Sequence, residues 1–326
     1  MKFYSTVRLE LLFVMALIIG VTISCKKSNE KTVETNIEKP ESQPFFKLSL
    51  AQWSLHKAIR DEKTIDPLDF AQKANELGFE GIEYVSQLYD NKIKEIGMEA
   101  VLDSLKRKSQ EYNVQNVLIM VDGEGDLAAT VEKERNEAVE KHKKWVDAAS
   151  TLGCHSIRVN TFGSNDPEIW VKTAEDGLRK LSQYAATKNI NVLVENHGWL
   201  SSDAPKLAQV MKAVNMNNCG TLPDFGNWCV KRSDGEDWGE CLEEYHDIYE
   251  GMKLLMPYAK AVSAKSYDFD AAGNQPELDY QKMLKIVKDA GYTGFIGVEY
   301  EGSNLSEVEG INATKALLLK SAKALN

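Results

Sequence analysis

From Phe45 onward, short apolar runs alternate with longer stretches in which apolar residues recur at helical spacing. The short runs are continuous rather than alternating in hydrophobicity, which is typical of parallel strands that are covered on both faces. They predict eight strands, at residues 47–53, 81–85, 114–121, 156–160, 191–195, 219–224, 259–264 and 295–300.

The longer stretches predict helices between these strands, at residues 67–77, 91–112, 131–152, 167–188, 204–214, 238–257, 279–290 and 306–325. Gly78, Gly153 and Gly291 each follow the end of a predicted helix, where a left-handed cap is favoured. Pro67 and Pro167 lie near predicted helix starts, where a missing N–H does no harm. The alternation of strand and helix indicates parallel βαβ construction.

About eight strand–helix units predict an α/β fold, a (β/α)8 TIM barrel that forms a single domain over residues 45–326. The chain of 326 residues suits one such barrel with additions. A doubly wound open sheet is the main alternative. It is disfavoured because the first strand is followed by Gln52-Trp53-Ser54 rather than by a glycine-rich phosphate loop.

The N-terminal segment has the pattern of an export signal. A basic start precedes an apolar run of about 13 residues, which is shorter than the roughly 20 that a membrane-spanning helix needs. The run ends in Thr-Ile-Ser before Cys25, which resembles a bacterial lipobox. We therefore expect a lipoprotein signal peptide (1–24), acylation of Cys25, and a flexible charged tether (25–44). A plain secretory signal and a retained short anchor are the alternatives.

This pattern predicts a protein that is exported and attached to a bacterial membrane through its lipid anchor only. The other cysteines are Cys154, Cys219, Cys229 and Cys241, and their spacing does not match a zinc site. Their even number permits disulfides in an oxidising compartment, but we expect buried free thiols. The net charge of −10, without clustered basic residues, argues against a nucleic-acid partner.

Three carboxylates end predicted strands five, six and eight, each after an apolar run: Glu195, Asp224 and Glu299. The carboxyl ends of barrel strands meet at one mouth of the barrel, where ligands bind. Three converging carboxylates repel one another unless a cation neutralises them. The pattern therefore predicts a site for a divalent metal such as Mn²⁺, Mg²⁺ or Zn²⁺.

Other polar and aromatic residues at or near the strand ends are candidate substrate contacts. Lys265 and Arg158 are suited to stabilise a developing oxyanion, and Trp53 and Trp228 are suited to stack on a sugar ring. The predicted substrate-binding set is Trp53, His56, Glu83, Arg158, Asn160, His197, Asn227 and Trp228, and Lys265 joins the predicted catalytic residues.

Several short segments, in this order along the chain, resemble the xylose isomerase-like barrels, the superfamily of sugar isomerases, epimerases, inosose dehydratases and endonuclease IV. They are Gly-Phe-Glu-Gly-Ile-Glu (78–83), Val-Glu-Asn-His-Gly (194–198), Asp-Phe-Gly-Asn (224–227), Ser-Ala-Lys (263–265) and Gly-Val-Glu-Tyr (297–300). The resemblance implies a divalent metal held by Glu195, Asp224 and Glu299. The histidine that completes the family's ligand set is replaced here by Ser263, so water or His197 is expected in its place. A weakly bound or absent metal is the alternative.

The resemblance also implies that Glu195 and Glu299 act as an acid/base pair on a small-molecule carbohydrate. We therefore expect a metal-assisted keto-sugar isomerase or epimerase that abstracts a proton α to a carbonyl and passes through an enediolate. A lyase or dehydratase acting on 3-keto-glycosides or oxidised sugars would use the same site. A non-catalytic carbohydrate-binding lipoprotein is the third alternative, and the sequence leaves the oligomeric state open.

Overall fold

In a computed structural model that describes residues 43–233 and 238–325, eight parallel strands form the barrel. They are β1 (Lys47–Ala51), β2 (Gly81–Val85), β3 (Gln115–Val121), β4 (Ser156–Val159), β5 (Asn191–Glu195), β6 (Cys219–Leu222), β9 (Val262–Ser266) and β10 (Phe295–Tyr300). Two further strands, β7 (Cys229–Arg232) and β8 (Cys241–Glu244), pair with each other in antiparallel fashion.

The barrel strands follow one another in the order β6-β5-β4-β3-β2-β1-β10-β9. Bridges between Thr221 and Ala259 and between Asp224 and Ser263 join the two outer strands, β6 and β9. The backbone N–H of Ser263 donates to the carbonyl oxygen of Pro223, and that of Phe225 donates to the carbonyl oxygen of Ser263, each over 3.0 Å. The ladder is sparse here because Pro223 has no N–H to donate. These contacts close the cylinder, and the predicted (β/α)8 barrel is confirmed.

Helices connect the strands and cover the barrel. They are α1 (Phe70–Glu76), α2 (Asp90–Ile96), α3 (Met98–Glu111), α4 (Glu132–Leu152), α5 (Pro167–Ala186), α6 (Ala204–Val214), α7 (Ile248–Leu255), α8 (Tyr280–Asp289) and α9 (Glu307–Lys323). Their apolar faces are buried against the sheet, as shown by Leu178, Val287 and Leu318, which have no solvent exposure. Burial of these faces on the sheet is the main favourable contribution to the fold.

Most helix boundaries follow from local chemistry. The side chains of Asp166, Asp203 and Asp279 each accept a hydrogen bond from a backbone N–H in the first turn of the helix they precede. Gly153 ends α4 in the left-handed conformation that its position predicts (φ 77°). The single helix predicted over residues 91–112 is divided into α2 and α3 because Gly97 adopts φ 84° between them.

The segment after β6 departs from the prediction. Residues 238–257 were expected to form one helix, but Cys241–Glu244 form β8 and α7 begins only at Ile248. A disulfide between Cys229 and Cys241 joins β7 to β8. The expectation of free thiols is therefore wrong for this pair, whereas Cys154 and Cys219 are free as expected. β9 also begins at Val262 rather than at Ala259, because a short 3-10 helix, Met256–Tyr258, precedes it.

The predicted signal peptide, Cys25 and all but the last two residues of the predicted tether lie outside the described residues. Their assignment stays a prediction. Within residues 43–233 and 238–325, we find no helix that is both long and apolar enough to cross a membrane.

Candidate functional site

The three predicted carboxylates meet at one end of the barrel. Glu195 ends β5, Asp224 follows β6 by two residues, and Glu299 is the penultimate residue of β10. One oxygen from each of them lies within 4.8 Å of the others. All three side chains are buried, with exposed fractions of 2%, 0% and 4%. We call Glu195, Asp224 and Glu299 the carboxylate cluster, and their convergence is as the sequence predicts.

Two members of the cluster face basic side chains. The Nε of Arg158 lies 2.9 Å from Glu195 Oε2, and Asn227 Nδ2 donates to Glu195 Oε1 over 2.9 Å. Lys265 Nζ lies 3.6 Å from Glu299 Oε1. Ser263 Oγ donates to Glu299 Oε2 over 3.2 Å, so the residue in the family's histidine position contacts the cluster as a donor.

Asp224 is the member that forms no direct ion pair among the described residues, although the positive charge of Lys265 acts on it. Its Oδ1 accepts hydrogen bonds from the backbone N–H groups of Gly226 and Asn227, each over 2.8 Å. Asn196 fixes its backbone on both sides, because Asn196 Oδ1 accepts from Asp224 N (2.7 Å) and Asn196 Nδ2 donates to Asp224 O (3.0 Å). The Oδ2 atom is buried and has no hydrogen-bond partner in the described part of the chain. Such an orphaned carboxylate oxygen is unfavourable unless a cation or donor occupies the space beside it.

Burial dominates the electrostatics of the cluster. It raises the pKa of Glu299 to about 8, against the opposing charge of Lys265. It likewise raises the pKa of Asp224 to about 7. Burial opposes the charge on Lys265, but the carboxylates of Glu299 and Glu301 outweigh it and raise the lysine pKa. The carboxyl groups of Glu299 and Asp224 therefore hold their protons more strongly than exposed carboxyl groups do.

A second network adjoins the cluster through Arg158. The Asp122 carboxylate accepts hydrogen bonds from Arg158 (2.8 Å) and from the amide of Asn160 (2.7 Å). His197 Nδ1 lies 2.8 Å from the oxygen of that amide. Burial lowers the pKa of His197 to about 4, so its imidazole is neutral at pH 7. Neither ring nitrogen of His197 belongs to the group of ligand atoms that lie within 4.8 Å of one another, so His197 is not placed as the missing fourth ligand.

A cavity of about 720 Å³ opens at this end of the barrel. The predicted site residues that line it are Trp53, Arg158, Asn160, His197, Asn227, Lys265 and Glu299. Glu195 lies directly behind two of these lining residues, in contact with Arg158 and Asn227. The barrel mouth therefore collects most of the side chains that the strand-end pattern selects.

Three predicted substrate-binding residues are not among those lining the cavity. The ring of His56 stacks on Trp53 with centroids 4.4 Å apart, and its Nδ1 contacts the Trp53 carbonyl oxygen at 2.7 Å. Glu83 is buried in the barrel interior, where it accepts a hydrogen bond from Ser49 over 2.6 Å. Burial raises the pKa of Glu83 to about 7.

Trp228 is the third of these and requires a correction. Its indole N–H donates to the Phe225 carbonyl oxygen over 2.8 Å, and its ring packs beside Tyr245 and Gly251 with 3% exposure. The backbone after β6 turns so that this side chain points into the core. It is therefore not placed to stack on a sugar in the cavity.

Several cavity residues were missed: Arg60, Asp122, Phe162, Arg232, Trp238, Tyr267 and Glu301. Asp122 directly follows β3, so the strand-end rule that selected Glu195 also applies to it. Glu301 lies two positions after Glu299, at the spacing that places side chains on the same face of a strand. Its carboxylate accepts a hydrogen bond from Lys265 over 3.0 Å. Arg232 and Trp238 had no comparable signal because they belong to the unpredicted hairpin.

The fold and the site define an α/β barrel with a buried acidic cluster at the carboxyl ends of its strands. A family model described as "Xylose isomerase-like TIM barrel" matches residues 71–322. The chain belongs to this family.

Solved structures share the fold at low sequence identity. The 3-keto-D-glucoside 4-epimerase YcjR from E. coli superimposes with a TM-score of 0.61 at 14% identity, covering 84% of this chain and 98% of the epimerase. The IOLI protein with a bound zinc atom gives 0.63 at 16% identity, with 86% and 99% covered. A family member from Mycobacterium smegmatis in complex with magnesium gives 0.58 at 16% identity, with 86% and 97% covered.

Two curated relatives match over a short segment. The α subunit of 3'-dehydrocarminate deglycosidase from a Microbacterium species is 37% identical over 57 residues, which is 18% of this chain and 16% of the relative. The α subunit of C-glycoside deglycosidase from Arthrobacter globiformis is 34% identical over 64 residues, or 19% and 18%. The matched segments thus span less than a fifth of either relative.

Proposed function

We propose that the protein is an isomerase or epimerase of keto-sugars that binds a divalent metal at the carboxylate cluster. The observation that carries the proposal is the approach of three buried carboxylates to within 4.8 Å of one another. Two cations already contact four neighbouring carboxylates, because Arg158 also faces Asp122 and Lys265 also faces Glu301. A further positive charge at the cluster would offset the remaining repulsion.

The chemistry of the donors fits such an ion. Oxygen ligands suit Mg²⁺ and Mn²⁺ and are also accepted by Zn²⁺. The Oδ2 of Asp224 supplies a buried oxygen that accepts no hydrogen bond within the described residues. Ser263 is a weak ligand, so the proposed site has three protein ligands and leaves positions for water or substrate, as catalytic metal sites do.

When bound, the metal would polarise the carbonyl and neighbouring hydroxyl of a keto-sugar as a Lewis acid. Glu195 and Glu299 are the proposed acid/base pair. One carboxylate removes the proton on the carbon beside the carbonyl, which leaves an enediolate, and the other carboxyl returns a proton to it. Arg158 and Lys265 lie beside these carboxylates and would stabilise the negative charge that develops on the substrate.

A lyase is the second candidate, and the deglycosidase names of the two curated relatives favour it. The first step would be the same proton abstraction. The enediolate would then expel the substituent on the β-carbon: the bond to the aglycone breaks, its electrons leave with the aglycone, and a double bond forms in the sugar. Which outcome follows depends on whether a carboxyl group protonates the carbon or the leaving group.

The two candidates are separated by incubating the purified protein and Mn²⁺ with 3-keto-glucosides and free keto-sugars in D₂O. Deuterium incorporation next to the carbonyl with the glycoside intact supports the epimerase, whereas release of the aglycone supports the lyase. If neither occurs on any of these substrates, with or without metal, both proposals fail. A carbohydrate-binding role without catalysis then remains.

We also propose that the protein is exported and lipid-anchored. The Cys229–Cys241 disulfide supports this location, because disulfides persist mainly in oxidising compartments outside the cytoplasm. The parent protein should incorporate radiolabelled palmitate when it is expressed in bacteria, and a Cys25→Ala variant should not. Labelling that the substitution leaves unchanged would contradict acylation at Cys25.

A further inference from the structure

The β7–β8 hairpin forms one wall of the cavity. It leaves the barrel after β6 and returns before α7, and the Cys229–Cys241 disulfide joins its two strands. Two of its side chains, Arg232 and Trp238, line the cavity. Neither strand joins the barrel sheet, so the hairpin is an addition to the strand–helix repeat.

Trp238 is the most exposed large aromatic residue in the described structure, with 58% of its surface open to solvent. Its ring is nevertheless held from several sides. It lies edge-on to Phe162, with centroids 5.5 Å apart, and to His197, with centroids 4.8 Å apart. The guanidinium of Arg232 lies 5.7 Å from the ring centroid. A tryptophan that is both positioned and exposed beside a cavity is typical of a recognition surface.

Contacts connect this wall to the carboxylate cluster. His197 touches Trp238 and also the amide of Asn160. Asn160 contacts Arg158, which in turn contacts Glu195 at 2.9 Å. The part of a ligand that stacks on Trp238 would therefore be separated from Glu195 by the side chains of His197, Asn160 and Arg158. A cavity of about 720 Å³ is in the range that takes drug-sized ligands, so it has room for a second ring beyond the sugar.

We propose that Trp238, Phe162 and Arg232 form a subsite for an aromatic aglycone, carried on the anomeric carbon of the keto-sugar. The substrate would then be an aryl keto-glycoside rather than a free monosaccharide. This inference rests on the function proposed above. A tryptophan can also stack on a sugar, but the hydroxyl groups of a sugar need hydrogen-bond partners. This wall consists of two aromatic rings and a guanidinium whose Nη1 is already committed to the Gly239 carbonyl oxygen at 2.9 Å, so an aromatic ring is favoured over a second sugar.

The test compares ligands that share the sugar and differ in the aglycone. We would measure binding of p-nitrophenyl 3-keto-glucoside, methyl 3-keto-glucoside and 3-keto-cellobiose to the Glu299→Gln protein, in which turnover is blocked. A Trp238→Ala substitution in that background should weaken binding of the nitrophenyl compound about tenfold, the scale of a lost aromatic pair. Binding of the methyl compound should stay within twofold, and Trp238→Phe should restore most of the nitrophenyl affinity.

Leu242→Ala is the matched control, because Leu242 lies on the same hairpin and is equally exposed, at 58%, but does not line the cavity. It should leave all three affinities unchanged. Equal nitrophenyl affinity with and without Trp238 would overturn the subsite. A loss confined to 3-keto-cellobiose would overturn the aromatic aglycone in favour of a sugar. Trp238-dependent binding to the Glu299→Gln protein, combined with no turnover of any of these substrates by the parent protein, would sustain the subsite and reject the proposed reaction.

Discussion

The carboxylate cluster reaches the cavity through Glu299 and the β7–β8 hairpin reaches it through Arg232 and Trp238, but the two are built differently. The cluster comes from the ends of three barrel strands and is at most 4% exposed. The hairpin is an insertion whose strand β8 is exposed at every residue and whose Trp238 is open to solvent. The barrel thus holds the proposed acid/base groups in its buried interior, while an added segment shapes the space around them. This division is how one barrel fold supports many substrates.

The largest expected effect is on turnover by Glu299→Gln. The substitution keeps the size of the side chain but removes the carboxylate that we assign to acid/base chemistry. We expect kcat to fall by about a thousandfold, within the range for loss of a general acid or base. Glu243→Gln is the control, because it makes the same change at an exposed glutamate of β8 and should leave kcat unchanged. If the Glu299→Gln protein kept more than a tenth of the parent protein's activity, the reaction would not take place at the strand ends.

A smaller effect is expected on metal affinity. Asp224→Asn keeps an oxygen to accept the N–H groups of Gly226 and Asn227 but replaces the unpartnered oxygen by an amide. It should weaken Mn²⁺ binding at least tenfold in titration calorimetry on chelator-treated protein, since a charged oxygen ligand is lost. Ser263→His should act in the opposite direction by adding an imidazole ligand. Identical affinity in all three proteins would mean that the cluster does not bind the metal.

The smallest effect is expected on stability when the hairpin is uncoupled. A Cys229→Ser/Cys241→Ser protein should unfold only a few degrees below the parent in calorimetry, because the cross-link closes a short loop outside the barrel. Its KM for an aryl keto-glycoside should rise several-fold, while the KM for the methyl glycoside stays constant. A large drop in the unfolding midpoint would show that the hairpin is part of the barrel's stability after all.

The strand ends could be predicted because one pattern carries both structure and chemistry. Buried parallel strands appear as short apolar runs, and a carboxylate after such a run must lie at the barrel mouth. Glu195, Asp224 and Glu299 each follow this rule. The rule predicts where a residue lies relative to the end of its strand. It does not predict which way a side chain points once the chain has passed the last hydrogen bond of that strand. Trp228 follows β6 and yet points into the core, where its ring packs beside Tyr245 and Gly251.

The hairpin could not be predicted for a different reason. Its strands are four residues each and carry charged residues, so they show neither an apolar run nor a regular alternation. The residues Leu-Glu-Glu of β8 lie shortly before α7, whose apolar residues recur at helical spacing. The whole stretch therefore has the pattern of one helix. The pairing of Cys229 with Cys241 depends on this fold, since spacing alone does not determine which cysteines join.

An alanine at position 297 would bring a methyl group within 2.7 Å of both carboxylate oxygens of Glu83, across the interior of the barrel. The glutamate is held by Ser49 and is fully enclosed, so it has little room to move aside. The two positions lie on β2 and β10, far apart in the chain, and a larger residue at 297 requires a shorter one at 83. Among related barrels we expect them to covary, with a larger residue at 297 accompanied by a shorter one at 83.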